Sequence, residues 1–459
     1  MDQDRKIDAS QIDYLANFSA SLTIEDIPQT VLAATKRFIA DTCAVAIAGR
    51  VAPSCQTVID TAKKWDGGAT GSSSIIGDQR TVLTPGNAAF VNGYKAHCLE
   101  WDALHEEGVA IAFCTPVGAL LAECNHQQVY GSRFLTAITA AAEFFILLGL
   151  TSGSTAQFFR PSAAGTISAA IAVAHIRGYS VEKTKSTIGH AYSLAAGTMQ
   201  AHWEGVATLA MQVGTASKNA IYAADLAEAG MAAPVDIFTG RFGFFSIFEA
   251  PGTFGERFSE LGKIWRLREV AYKPFPCGRA TQGVLTILRE IRTTQTLAAD
   301  DIKSVGVSAP PLISVLVNRP LQDDMSPSYA RLCLPYVLAL YVLYDEIDPR
   351  RFTNSIQPTA QETEVAAKLR ISVREDLPGN ILTPIDVTIE RTDGTTQTNT
   401  CNHAWGAPAS SFCDADLKEK ISKCLTLGEL QGDGGDFLDT FLEFEKVSDS
   451  GETIRQLYS

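Results

Sequence analysis

The chain lacks the sequence signatures that most often betray an activity. Its 459 residues contain no Walker loop, no GxGxxG after a strand, no HExxH and no GxSxG elbow. This removes the usual sequence-level routes to nucleotide, zinc-protease and serine-hydrolase chemistry. No CxxC pair occurs among the ten cysteines (Cys43, Cys55, Cys98, Cys114, Cys124, Cys277, Cys333, Cys401, Cys413, Cys424). A chain of this length needs no disulfides, so free thiols in a reducing cytoplasm are the expectation. The polar, acidic opening MDQDRKIDASQID does not read as a secretory leader. The apolar runs at 135–150 and 335–343 read as too short or too interrupted to cross a bilayer. Lys and Arg number 38 against 51 acidic residues, a formal charge of −13. General binding to nucleic acid or to an anionic membrane is therefore not expected, because both need clustered cations. Histidine is scarce as well, with seven in the chain, so each one in a polar setting is informative.

What is present describes a folded enzyme-sized protein. An apolar content of 46% with 19% charged residues fits an ordered globular chain, and the length makes two domains the default. From residue 10 to about 250, Ala, Leu and Ile recur at helical spacing, and 31–48 and 134–148 are apolar around most of their circumference. Small residues at 163–174 and 191–197 suit helices that cross closely in a bundle, or that line a pocket. Near residue 265 the character changes. Short alternating runs at 302–308, 368–373 and 384–391 predict strands, and Thr392-Asp393-Gly394-Thr395 predicts a hairpin turn. Helical patterns at 280–293 and 328–343 lie among them, so this part reads as α+β. Helical periodicity returns at 414–425 and 437–442. The fold class predicted is mainly α with a smaller α+β domain.

Three segments could carry chemistry. In Asn92-Gly93-Tyr94-Lys95-Ala96-His97-Cys98-Leu99-Glu100-Trp101-Asp102-Ala103-Leu104-His105, Asp102 and His105 are three apart. On a helix end they would share a face, giving an acid/base pair or simply a solvated terminus. In Phe158-Phe159-Arg160-Pro161-Ser162, a polar break opens a small-residue helix whose free N–H groups and Arg160 suit an anion, unless the arrangement is only capping. In Lys273-Pro274-Phe275-Pro276-Cys277-Gly278-Arg279-Ala280-Thr281-Gln282, prolines stiffen a loop at the proposed domain junction. Lys273 and Arg279 either face an interdomain cleft or lie on the surface.

These segments, in this order, resemble the MmgE/PrpD family. Lys36-Arg37-Phe38-Ile39-Ala40-Asp41-Thr42, followed by Ala48-Gly49, is similar to its early helix. Asn92-Gly93 to His105 is similar to its run of NG, histidine and acids, and Phe238-Thr239-Gly240-Arg241-Phe242-Gly243 to the loop before its smaller domain. The resemblance implies a large helical domain over 1–265 and 408–459, an inserted α+β domain over 266–407, and a homodimer. It also implies a cleft that takes small carboxylates without a metal or organic cofactor, and a lyase acting by proton transfer at carbon (a dehydratase or decarboxylase). An isomerase, epimerase or cyclase using the same cleft, and a family member without catalysis, are the alternatives. On this reading His105, Asp102 and Lys273 are the catalytic candidates, and Arg160, Arg279, Ser162 and Gln282 the substrate-binding ones. The chain departs from the family where lyases carry further histidines and a lysine. It has Gly108 to Phe113 in place of an HPS-like block, Arg160 before Pro161-Ser162, Leu209 in place of a lysine, and Gln282 in place of a histidine.

Overall fold

The computed structural model describes residues 10–153, 157–250, 253–410 and 412–458. Its long helices follow from the apolar runs. Gln29–Ala48 begins after Pro28, and Gly131–Thr151 is buried over almost its whole length. The second of these corrects the expectation of a run too short to cross a bilayer, since it is a 21-residue helix with the length and apolarity to do so. Some 94% of its most apolar stretch is buried inside the protein, as in the core helix of a globular fold.

Cys114–His126 and Arg160–Arg177 pack against it, Thr208–Glu228 packs on both of these, and Pro85–His97 packs on Cys114–His126 and Thr208–Glu228. Three of these helices approach so closely that only glycine fits. A Cβ on Gly118 would lie 2.7 Å from the backbone nitrogen of Gly93, and one on Gly214 would lie 2.3 Å from the carbonyl of Phe90. The small residues at 163–174 are helical as expected. Of those at 191–197 only 191–193 are, because the helix Val181–Ser193 ends there and the chain continues irregularly.

The strands at 302–309, 369–373, 385–391 and 396–401 form one sheet. Its spatial order is 369–373, 302–309, 385–391, 396–401, with a parallel first pair and antiparallel remainder. Gly394, at φ 87°, makes the hairpin turn that Asp393-Gly394 predicts. The helical pattern at 328–343 is broken in the structure into Pro327–Ala330 and Leu334–Tyr344. Pro335 has no N–H to continue a preceding turn and sits instead in the first turn of a new helix.

Two hydrophobic cores result. One gathers residues from Ile12 to Val270 together with Leu417 to Tyr458, and the other runs from Cys277 to Ala404. The segment 271–276 connects them. Cys413, exposed, and the nine buried cysteines are all free.

Candidate active site

The chain turns sharply where the helix Pro85–His97 ends. Glu100 adopts φ 53°, a left-handed conformation unusual for a side-chain-bearing residue. That turn brings Asp102 back beneath His97, whose Nδ1 lies 3.0 Å from Asp102 Oδ2. Glu100 Oε1 lies 3.4 Å from Nε2 of the same imidazole. Lys273 arrives from the connecting segment, 3.1 Å from Glu100 and 3.6 Å from Asp102. The Cys114 thiol donates to Asp102 Oδ2. The loop is braced from outside: Trp101 Nε1 donates to the carbonyl of Pro274, and Lys420, paired with buried Asp41, donates to the carbonyl of Trp101.

Charges in this cluster balance by contact. Burial raises the cost of ionising Asp102, but His97 and Lys273 outweigh it and hold the carboxyl well below its usual range. Burial disfavours the Lys273 ammonium, yet the carboxylates of Asp102 and Glu100 dominate and hold its pKa above the ordinary lysine value. Lys273 is thus a fixed cation rather than a base. Burial likewise opposes charge on His97, and Asp102 and Glu100 reverse it, leaving its pKa above 6.5. With Asp102 ionised, neutral His97 carries its proton on Nδ1, and Nε2, buried and without a hydrogen-bond partner, keeps its lone pair.

His97 and Glu100 line a cavity of about 110 Å³, room for several waters or a small organic group. Its wall also carries Lys273, Arg160, Arg279 and His202. Burial and neighbouring Arg319 lower the His202 pKa to about 4. Arg319 Nη2 can only donate, so His202 Nδ1 accepts its bond and Nε2 bears the proton. Two imidazoles in one cavity wall are therefore pushed apart in pKa, so that His202 stays neutral over the range in which His97 titrates. Val109, β-branched at φ 44°, also lines it, and such strained backbone gathers at functional sites.

The structure brings Asp102 and Lys273 together, as the sequence suggests, with Arg160 and Arg279 in the same wall. The expected pairing of Asp102 with His105 is not formed. Residues 104–105 are a short strand against 270–271 rather than a helix end, so the three-residue spacing does not put the two side chains on one face. His105 accepts from Gly108 N at Nδ1, pairs with Glu269 at Nε2, and is not part of the cavity wall. Ser162 donates to the carbonyl of Gln212 inside the helix packing. Gln282 is fully buried and donates to the carbonyls of Phe275 and Cys277, fixing the connecting loop. Neither lines the cavity.

Arg160 is clamped by Glu249 at 2.7 Å and Arg279 by Glu106 at 2.7 Å, so neither is the free anion binder its bare charge suggests. Sequence reasoning misses His202 altogether. Its signal was its rarity, one of seven histidines, in Gln200-Ala201-His202-Trp203. His97, Asp102 and Cys114 present ligand atoms within 4.8 Å of one another. Lys273 already faces Asp102 as its counter-charge, which sets the cluster against a second cation.

The chain matches known proteins along most of its length. Residues 13–256 match the MmgE/PrpD N-terminal domain and residues 275–431 the MmgE/PrpD C-terminal domain. The chain belongs to the MmgE/PrpD family. It is 25% identical to the cis-aconitate decarboxylase of Mus musculus over 418 residues, covering 87% of this chain and 83% of that protein. It is also 25% identical to the human cis-aconitate decarboxylase over 425 residues, 87% and 84% of the two chains. A cis-aconitate decarboxylase-like protein of Aspergillus oryzae is 22% identical over 469 residues, 92% of this chain and 95% of its own.

Proposed function

We propose that the protein is a lyase that moves a proton at a carbon next to a carboxylate, with His97 rather than His105 as the proton-transfer group. The observation that carries this reading is His97 in the cavity wall, with Nδ1 fixed by Asp102 and Nε2 making no hydrogen bond, 3.4 Å from Glu100 Oε1. Neutral His97 takes the proton from carbon as general base. Lys273, permanently charged, offsets negative charge as it develops on the substrate, which the low-dielectric wall makes more effective than it would be in water. His202, neutral with its proton on Nε2, can donate a hydrogen bond to the departing group, and the His97 imidazolium returns the abstracted proton to a departing hydroxide, which leaves as water. Loss of CO₂ uses the same group in the opposite sense, protonated His97 delivering its proton to the carbon that CO₂ leaves, and the cis-aconitate decarboxylases among its relatives support a lyase. Ten free cysteines support a reducing, cytoplasmic setting, and the homodimer the resemblance implies is checked by light scattering.

The test is incubation in D₂O with cis-aconitate, 2-methylcitrate and 3-hydroxyalkanoates, followed by NMR. New unsaturation, or CO₂ loss with deuterium at the carbon it leaves, is expected, reduced at least about a hundredfold in His97→Gln. Undiminished turnover in that variant removes His97 from the reaction. Deuterium uptake with an unchanged skeleton points to an isomerase instead.

A further inference from the structure

What the cavity accepts follows from its wall, and this inference rests on the lyase reading above. Away from His97 the surface is hydrocarbon: Leu104, Ile111, Met199, Leu209, Leu316 and Leu382. Leu104, Ile111 and Leu209 belong to the first core and Met199 packs on it, whereas Leu382 belongs to the second core and Leu316 packs on that one. The apolar wall is therefore shared by both bodies. The three cations in the wall are already matched: Lys273 by Glu100, Arg160 by Glu249 and Arg279 by Glu106. A tricarboxylate would have to break these buried pairs, which is strongly unfavourable because each orphaned carboxylate stays buried.

Two buried arginines without an ion pair among the described residues lie behind the polar end. Arg319 donates to His202, and its Nη1 is buried without a hydrogen-bond partner. Arg331 is 1% exposed, with Nε likewise unpartnered. It shares with His97, Glu100 and Leu209 a second space of about 10 Å³, room for about one water. Arginine charge without an ion pair thus stands behind the His97–His202 end of the cavity, and hydrocarbon lines much of the rest.

We propose that the substrate is an amphiphilic acid, with a single anionic end beside His97 and His202 and a hydrocarbon body along the leucine wall. Calorimetric titration of the purified full-length protein with hexanoate, octanoate and decanoate, below their micellisation range, and with citrate and cis-aconitate, tests it. Affinity should rise about fourfold per added methylene, with both tricarboxylates at least a hundredfold weaker than decanoate. Leu316 is only half-buried and can carry a charge without unfolding the chain, so Leu316→Asp should weaken decanoate at least tenfold while the Tm stays nearly unchanged. Affinity independent of chain length, tricarboxylates binding better than decanoate, or decanoate binding unaltered in Leu316→Asp overturns the proposal. The two readings fail separately. If tricarboxylates bind best and react through His97, the lyase reading stands and the amphiphile does not. If chain-length dependence appears but turnover survives His97→Gln, the amphiphile stands and the lyase assignment to His97 does not.

Discussion

At the scale of single residues, the local environment of each imidazole decides its part. His105 has both ring nitrogens occupied, by Gly108 N and Glu269, and no cavity to face. His105→Gln should therefore keep turnover within about tenfold, whereas His97→Gln loses at least about a hundredfold; comparing kcat/KM of the two variants checks this. His97 is faced by Asp102, Glu100 and Lys273, and its pKa lies above 6.5. As a base it works when deprotonated, so kcat/KM should fall as pH drops through that raised value. In Asp102→Asn burial acts with less opposition, and the acidic limb of the pH profile should move to lower pH while the rate drops. Removing the Lys273 charge leaves Glu100 and Asp102 buried without their shared counterion. Lys273→Met should cost about 3 to 5 kcal/mol in urea unfolding.

At the scale of elements, two junctions carry measurable consequences. Glu143, inside the helix Gly131–Thr151, accepts the backbone N–H groups of Arg266 and Leu267 and so ties the core to the chain approaching Lys273. Burial raises its pKa to about 7, against the lowering effect of those two bonds. Its folded value exceeds the unfolded value near 4.5, so its stabilising contribution is full below about pH 4.5 and is lost as pH rises through about 7. The change amounts to on the order of 3 kcal/mol. Unfolding free energies across that window should show this decline in the wild type and not in Glu143→Gln. The glycine crossing of Pro85–His97 with Cys114–His126 is the second junction. Gly118→Ala sets a methyl against the Gly93 backbone and should destabilise by about 2 kcal/mol, read as a lower Tm.

At the scale of the whole molecule, the sequence reveals the frame more readily than the site. The strands at 302–309, 369–373 and 385–391, the Asp393-Gly394 turn and the long core helices stand almost where alternation and helical spacing put them. Local periodicity and turn chemistry suffice for such elements. The site is harder because it depends on one turn. Helical spacing pairs Asp102 with His105, but the left-handed Glu100 ends the helical geometry and hands Asp102 to His97. Nothing in the spacing of Arg160 or Arg279 tells that Glu249 and Glu106 would neutralise them, since those partners lie 89 and 173 residues away. His202 meets the cavity only because the two cores close on one another.

Proton transfer is assigned to His97, which lines the cavity between the two cores with its Nδ1 held by Asp102. A ¹⁵N NMR titration of the histidine-labelled protein, with His97→Gln used to assign its signal among the seven, reads both tautomer and pKa. The account predicts a neutral form protonated at Nδ1 that titrates above 6.5 and moves to lower pH in Asp102→Asn. A neutral form protonated at Nε2, or a titration below 6.5 in the wild type, would contradict it.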